Sequence, residues 1–273
     1  MTIDVTRRFV RGPAGDIAVY LQGDPGAPAI VMTHSILSSS MMWEAQAALL
    51  QAQGWRVIRA DTRGHGASQA GTAPWTMDEL AADTVAVFDA LNIERAHYVG
   101  LSLGGMSGFG LGIAHADRLL SLCLCDARAD APPAFAAPWD ERIEIAQRDG
   151  CGALAVSTTE RWFGKPFLDA HPELAARFRS TVAQTSTEGF TGCARAIQAL
   201  DYLGEVARID VPTTLVVGAN DGPLPQAMAH IGSLIHGARL EVIPDAGHLP
   251  NIDRPDAFND ALLRHLRHAQ DAG

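Results

Sequence analysis

The residue in this chain best set up to do chemistry is a serine between glycines. Ser102 lies in Val99-Gly100-Leu101-Ser102-Leu103-Gly104-Gly105, between an apolar run (Ala96–Leu101) and a helical stretch, residues 103–116. Gly-x-Ser-x-Gly at a strand-to-helix junction is the signature of a sharp turn that lifts the hydroxyl above the sheet edge as a nucleophile. The glycines fit a turn where backbone passes too close for a Cβ. The plainer alternative is a Gly-rich turn with a passive serine. It is weakened by the flanking elements and by the extra Gly105. Further on, Gly108, Gly110 and Gly112 read G-x-G-x-G inside the helix, not G-x-G-x-x-G at its entry. They predict close helix–sheet packing and no dinucleotide loop.

A serine hydroxyl needs a general base, itself oriented by a carboxylate. Ten histidines compete for that role. His248, in Asp245-Ala246-Gly247-His248-Leu249-Pro250, follows the last strand-like run, residues 239–244, where the loops of a parallel sheet carry function. His34 also follows a strand but precedes the serine, against the chain order Ser, acid, His that accompanies this elbow. His65, in Arg63-Gly64-His65-Gly66, reads as a turn residue, and His265 and His268 as solvated positions of a terminal helix. For the acid, Asp221 in Gly218-Ala219-Asn220-Asp221 is favoured, Asp126 is the competitor at another strand end, and the remaining acids read as solvated charge. The oxyanion donors expected are the main-chain N–H of Leu103 and, from the loop 34–37, that of Ile36, with the Ser35 hydroxyl as an additional contact.

These residues need a frame. Residues 9–22 read as two strands around the turn 12–15. Ala29–Thr33, residues 55–60, Ala96–Leu101, Leu119–Cys125, Thr213–Gly218 and residues 239–244 read as buried strands. Helical patterns at 41–53, 76–91, 103–116 and 255–268 alternate with them. Thr76 and Glu79 form a capping-box signature. Such alternation implies a parallel sheet with helices on both faces. Between about residues 128 and 206 the alternation gives way to helices carrying Trp139, Trp162 and Phe163. The expectation is an α/β core, residues 1–127 and 206–273, interrupted by a helical cap, residues 128–205. The three cap aromatics either line a pocket or pack the cap.

Composition narrows the function classes. The 273 residues hold 31 acids and 21 bases for a net charge of −10, and Lys165 is the only lysine. No basic cluster suits nucleic acid or an anionic membrane. No apolar run approaches the ~20 residues needed to span a bilayer, and residues 1–12 show no secretory leader. The expectation is a cytoplasmic protein whose oligomeric state is not legible. Cys123, Cys125, Cys151 and Cys193 match neither a zinc site nor a C-x-x-C pair and read as buried thiols.

Taken together, the motifs resemble the α/β-hydrolase family, and within it the 3-oxoadipate enol-lactonase-like group. The resemblance spans nearly the whole chain. It is carried by Ser35-Ile36 with Met42-Trp43, the segment Asp61 to Ser68, the elbow Gly100 to Gly105, Trp139-Asp140-Glu141-Arg142 and Glu160-Arg161-Trp162-Phe163. The acid loop, Gly218 through Asp221 to Pro225, and the base loop, Gly247-His248-Leu249-Pro250-Asn251-Ile252 with Arg254-Pro255, complete it. Three departures stand out: Leu37 replaces a usual glycine, Gly222-Pro223-Leu224-Pro225 replaces Thr-Pro-Pro, and Ala196-Ile197-Gln198-Ala199 lacks the group's arginine. The resemblance implies a mostly parallel eight-stranded sheet and a serine hydrolase of a carboxylic ester or lactone. It implies a small-molecule substrate, no metal and no organic cofactor. Ser102, His248 and Asp221 would form the triad. Ser35, Trp139, Arg142 and Trp162 are candidate substrate contacts, and Arg142, Arg161 or Arg195 would hold a substrate carboxylate. The competing readings are a hydrolase of C–C bonds in meta-cleavage products and a non-catalytic receptor on the same fold. A dehalogenase would need Asp at position 102.

Overall fold

A computed structural model describes residues 5–271; of the stretch read for a leader, residues 1–4 lie outside it. Eight strands form one sheet: β1 (Thr6–Arg11), β2 (Asp16–Gln22), β3 (Ala29–Thr33), β4 (Arg56–Ala60), β5 (Ala96–Leu101), β6 (Leu119–Cys125), β7 (Thr213–Gly218) and β8 (Arg239–Ile243). Their spatial order is β1-β2-β4-β3-β5-β6-β7-β8. The β1–β2 and β2–β4 pairings are antiparallel and the others parallel. Every residue of β3, β5 and β7 is buried, the continuous apolar run expected of strands covered on both faces.

The core helices are α1 (Glu44–Ala52), α2 (Met77–Ala90) and α3 (Leu103–Ala114). Thr76 and Glu79 close the predicted capping box at the start of α2. Between β6 and β7 come α4 (Pro133–Ala136), α5 (Pro138–Asp149), α6 (Ala155–Phe163), α7 (Lys165–Ala170), α8 (Pro172–Gln184) and α9 (Thr187–Gln198). The chain closes with α10 (Leu224–Leu234), α11 (Pro250–Asp253) and α12 (Pro255–Asp271). The helices between β6 and β7 are stitched to the sheet's strand-end loops. Ser186 donates to the Gly64 carbonyl through both N–H and Oγ, each at 3.1 Å, and His248 N–H donates to the Trp162 carbonyl at 2.9 Å.

The α3 glycines do pack against the sheet. A Cβ on Gly108 would lie 2.4 Å from Leu124, and one on Gly112 2.6 Å from Leu122. All four cysteines are free and buried. Two expectations fail. His265 is 2% exposed, with Nε2 2.8 Å from Ser121 Oγ and Nδ1 2.9 Å from Thr214 Oγ1. Its place on the face of α12 turned to the sheet, beside the two hydroxyls, explains why it is not a solvated residue. Nor are the remaining acids all solvated. Asp83 is buried in a bidentate pair with Arg63, at 2.6 and 2.7 Å. Asp61 is buried and accepts from the N–H groups of Ser40 and Ala67.

Candidate active site

Ser102 follows the last residue of β5 and caps α3 with φ 55° and ψ −112°, a left-handed φ that an ordinary residue holds only under constraint. The constraint is local packing. A Cβ on Gly100 would come 2.2 Å from the Gly104 carbonyl oxygen, and one on Gly104 would meet Thr33 at 2.4 Å. Both positions of the elbow therefore require glycine. Gly104 N–H also donates to the His34 carbonyl at 3.1 Å, which sets the loop 34–37 against the amino end of α3. Ile36 and Leu103, the expected oxyanion donors, are thus carried on two segments tied together. Among the described residues, neither amide donates to a main-chain acceptor in the surrounding turns.

Asp221 and His248 lie beyond β7 and β8. His248 Nδ1 is 2.5 Å from Asp221 Oδ2, and both side chains are buried. The His248 loop is held at two consecutive amides: Gly247 N–H to Asp253 Oδ2 at 2.7 Å, and His248 N–H to the Trp162 carbonyl. The other ring nitrogen, Nε2, is buried without a partner among the described residues. Unliganded hydrolase sites are commonly this loose before substrate arrives. Burial pulls the His248 ring below its ordinary 6.5, Asp221 opposes this, and Arg161 adds to it. The imidazole is therefore neutral near pH 7 and can accept a proton. Burial pushes the Asp221 carboxyl up, but His248 and Arg161 outweigh it and leave it below the ordinary value.

Ser102, Asp221 and His248 share one cavity of about 300 Å³ with Met106, Asp126, Arg128, Phe135, Trp139, Arg161, Asn220, Gly222, Pro223 and Leu224. Wider clefts of about 670 and 730 Å³ elsewhere lack any serine–histidine–acid set. The cavity separates the expected substrate contacts. Trp139 lines it. Trp162 does not: fully buried, its ring packs edge-on against Phe163 and Phe178, and its carbonyl serves the His248 loop. Phe163 likewise packs the aromatic cluster. Ser35 is fully buried outside the cavity, its hydroxyl turned back on the Ile36 carbonyl at 3.4 Å. Arg142 lies behind the lining, its guanidinium 4.7 Å from the Trp139 ring centroid and bonded to Thr158 Oγ1. Arg195 pairs with Asp140 on the surface.

Arg161 is different. It lines the cavity with its side chain exposed to solvent, and it makes no hydrogen bond or ion pair among the described residues. Sequence reasoning missed Arg128, Phe135 and Asn220. All three sit in loops or first turns beyond β6 and β7, and that position was the available signal. Arg128 is paired with Asp130 at 2.7 Å beneath Phe135. No helix among the described residues is long and apolar enough to cross a membrane.

A family model for the alpha/beta hydrolase fold matches residues 28–255. The 3-oxoadipate enol-lactonase 1 of Acinetobacter baylyi is 34% identical over 246 residues, covering 89% of this chain and 90% of that protein. Among solved structures, the enol-lactonase from Burkholderia xenovorans superposes with a TM-score of 0.90 at 33% identity, over 95% of this chain and all of that one. A malate-bound thermophilic esterase from Thermogutta terrifontis gives 0.87 at 28% identity, over 97% of this chain and 99% of its own. With the elbow, the sheet order and the strand-end loops in agreement with these matches, the chain belongs to the α/β-hydrolase fold family.

Proposed function

We propose that this protein is a serine hydrolase of carboxylic esters or lactones, and that its substrate carries a carboxylate, as the enol-lactone of 3-oxoadipate does. The observation that carries the reading is the shared cavity. Around it lie a strained serine, a neutral histidine bonded to an aspartate, and an arginine without a partner among the described residues, and this supports the reading. The enol-lactonase relatives support it.

In this mechanism Ser102 Oγ attacks the acyl carbon while His248 Nε2 takes its proton. Asp221 fixes the Nδ1–H tautomer and stabilises the imidazolium. The amides of Ile36 and Leu103 receive the developing oxyanion. The ring oxygen leaves the acyl carbon and takes the proton back from His248. A water activated by the same ring then releases the acyl group. Arg161 anchors the distal carboxylate by a charge-assisted hydrogen bond. Trp139 and Phe135 cover the apolar part of the substrate.

The test is turnover of 3-oxoadipate enol-lactone and of its methyl ester by wild type, Ser102→Ala and Arg161→Met. Ser102→Ala abolishes turnover and fluorophosphonate labelling. Arg161→Met lowers kcat/KM for the acid by about 10–150-fold, the worth of a hydrogen bond to a charged group, and leaves the ester nearly unchanged. Full turnover in Ser102→Ala overturns the mechanism. Equal wild-type rates on acid and ester overturn the carboxylate.

A further inference from the structure

The cavity holds one more carboxyl group than a triad needs. Asp126 follows β6 directly, Asp221 lies three residues beyond the end of β7, and the two loops are adjacent because β6 and β7 pair in parallel. Asp126 is locked in place. Its N–H donates to the Val216 carbonyl at 2.9 Å, and its Oδ1 accepts from Gly218 N–H at 2.9 Å. Its φ of 44° is left-handed, a conformation aspartate tolerates better than most residues. The residue before it, Cys125, accepts the Ser102 N–H at 2.8 Å, so the same turn supports the nucleophile.

The side chain is completely buried, and its Oδ2 has no hydrogen-bond partner. Ligand-capable atoms of Asp126, Asp221 and His248 all lie within 4.8 Å of one another. Neither arginine of the cavity pairs with Asp126: Arg128 is taken by Asp130, and Arg161 makes no bond. A second ionised carboxylate here would sit dry, with one oxygen bare, beside the charge of Asp221. Two carboxyls sharing a site resolve this by keeping one proton between them. For its part, the Asp221 side chain accepts from a single donor among the described residues, His248 Nδ1.

We propose that Asp126 is a neutral carboxylic acid whose Oδ2–H donates to Asp221, making it a positioning residue of the catalytic centre. It rests on the reading that Asp221 and His248 serve Ser102. Burial and the charge of Asp221 both push the Asp126 carboxyl well above the ordinary range, in agreement with this assignment. The donated hydrogen bond fixes the Asp221 carboxylate plane, and through it the His248 ring.

Two measurements test this. Infrared difference spectra at pH 7, wild type minus Asp126→Asn, report the protonation state whether or not the enzyme turns over the tested esters. The expected result is loss of the carbonyl stretch of a protonated carboxylic acid. Loss of a carboxylate band instead overturns the proposal. Steady-state kinetics on any ester turned over by the wild type give the second readout. Asp126→Asn keeps an acceptor for Gly218 and an N–H donor for Asp221, so its kcat stays within about threefold of wild type. Asp126→Leu removes the donor and lowers kcat about tenfold to a hundredfold with KM little changed. An Asn variant as impaired as the Leu variant shows that an ionised carboxylate is required and overturns the proposal.

Discussion

Substitution of Gly247 by alanine tests the coupling between the helices above the cavity and the candidate base. The new Cβ would sit 2.4 Å from the Trp162 carbonyl oxygen, and a real Cβ contact needs at least 3.0–3.4 Å. Something must move by roughly 0.6–1 Å. The oxygen in the way is the acceptor of His248 N–H, so relief of the clash stretches or breaks that bond. Overpacking of a tight site costs about 1–3 kcal/mol and a lost buried hydrogen bond about 0.5–1.5 kcal/mol. A sum of about 2–4 kcal/mol, at roughly 2–4 °C per kcal/mol for a domain of this class, lowers Tm by about 4–16 °C. A shift of His248 on the order of 1 Å also costs about 100-fold in kcat. Differential scanning calorimetry and ester kinetics read the two effects. Gly204→Ala is the control, because nothing lies within 4 Å of its added Cβ. If Gly247→Ala matches that control in Tm and kcat, the contact with Trp162 does not hold the histidine.

Two further expectations concern buried charge. His265 is held neutral, with its pKa down at about 3, and His97 in the same hydrogen-bonded chain at about 4. Their stabilisation is complete above the unfolded imidazole's pKa of about 6.5 and is lost as pH falls toward the folded values, at up to about 1.4 kcal/mol per pH unit for each ring. Urea unfolding from pH 6.5 to 4.5 should therefore show a steep decline, flattened by one ring's share in His265→Gln; an unchanged slope in that variant refutes the assignment. Arg63→Met should cost about 3–5 kcal/mol by leaving Asp83 buried without its partner. Asp83→Leu added to it should recover part of the loss, whereas a single-variant cost below about 1 kcal/mol would contradict the pairing.

The frame was legible because its signals are local. Continuous apolar runs marked β3, β5 and β7, and Thr76 with Glu79 marked the start of α2. The candidate triad was legible for a different reason: in a parallel sheet the loops beyond the strand ends converge, so position along the chain becomes position in space. What periodicity does not reveal is which side of a helix meets a cavity and which meets a neighbouring helix. Trp139 and Trp162 are both buried cap aromatics, yet one lines the site and the other packs on Phe178. The sequence offered Arg142, Arg161 and Arg195 as carboxylate holders and took Arg142 alone as a substrate contact. Only their neighbours distinguish a guanidinium stacked on Trp139, one facing the cavity, and one paired with Asp140. His265 was misread because terminal helices are commonly solvated outside. Its partners, Ser121 and Thr214, are 144 and 51 residues away.

The net charge of −10 is hard to square with an anionic substrate if charge is treated as a property of the whole chain. It is less so at the scale of the cavity. Surface charges are screened beyond about 8 Å at physiological ionic strength, so a carboxylate near Ser102 responds mainly to the groups lining the cavity. There Arg128 is offset by Asp130, and His248 is neutral. With Asp126 holding a proton, the remaining charges are Asp221 and Arg161, which balance. A bound carboxylate then meets one unpartnered guanidinium and a local sum near zero. Were Asp126 ionised, the same cavity would carry a net negative charge beside the candidate carboxylate anchor, and both the anchor and the neutral base would be compromised. The proposed protonation of Asp126 and the proposed recognition of an anion by Arg161 therefore stand on the same local charge balance.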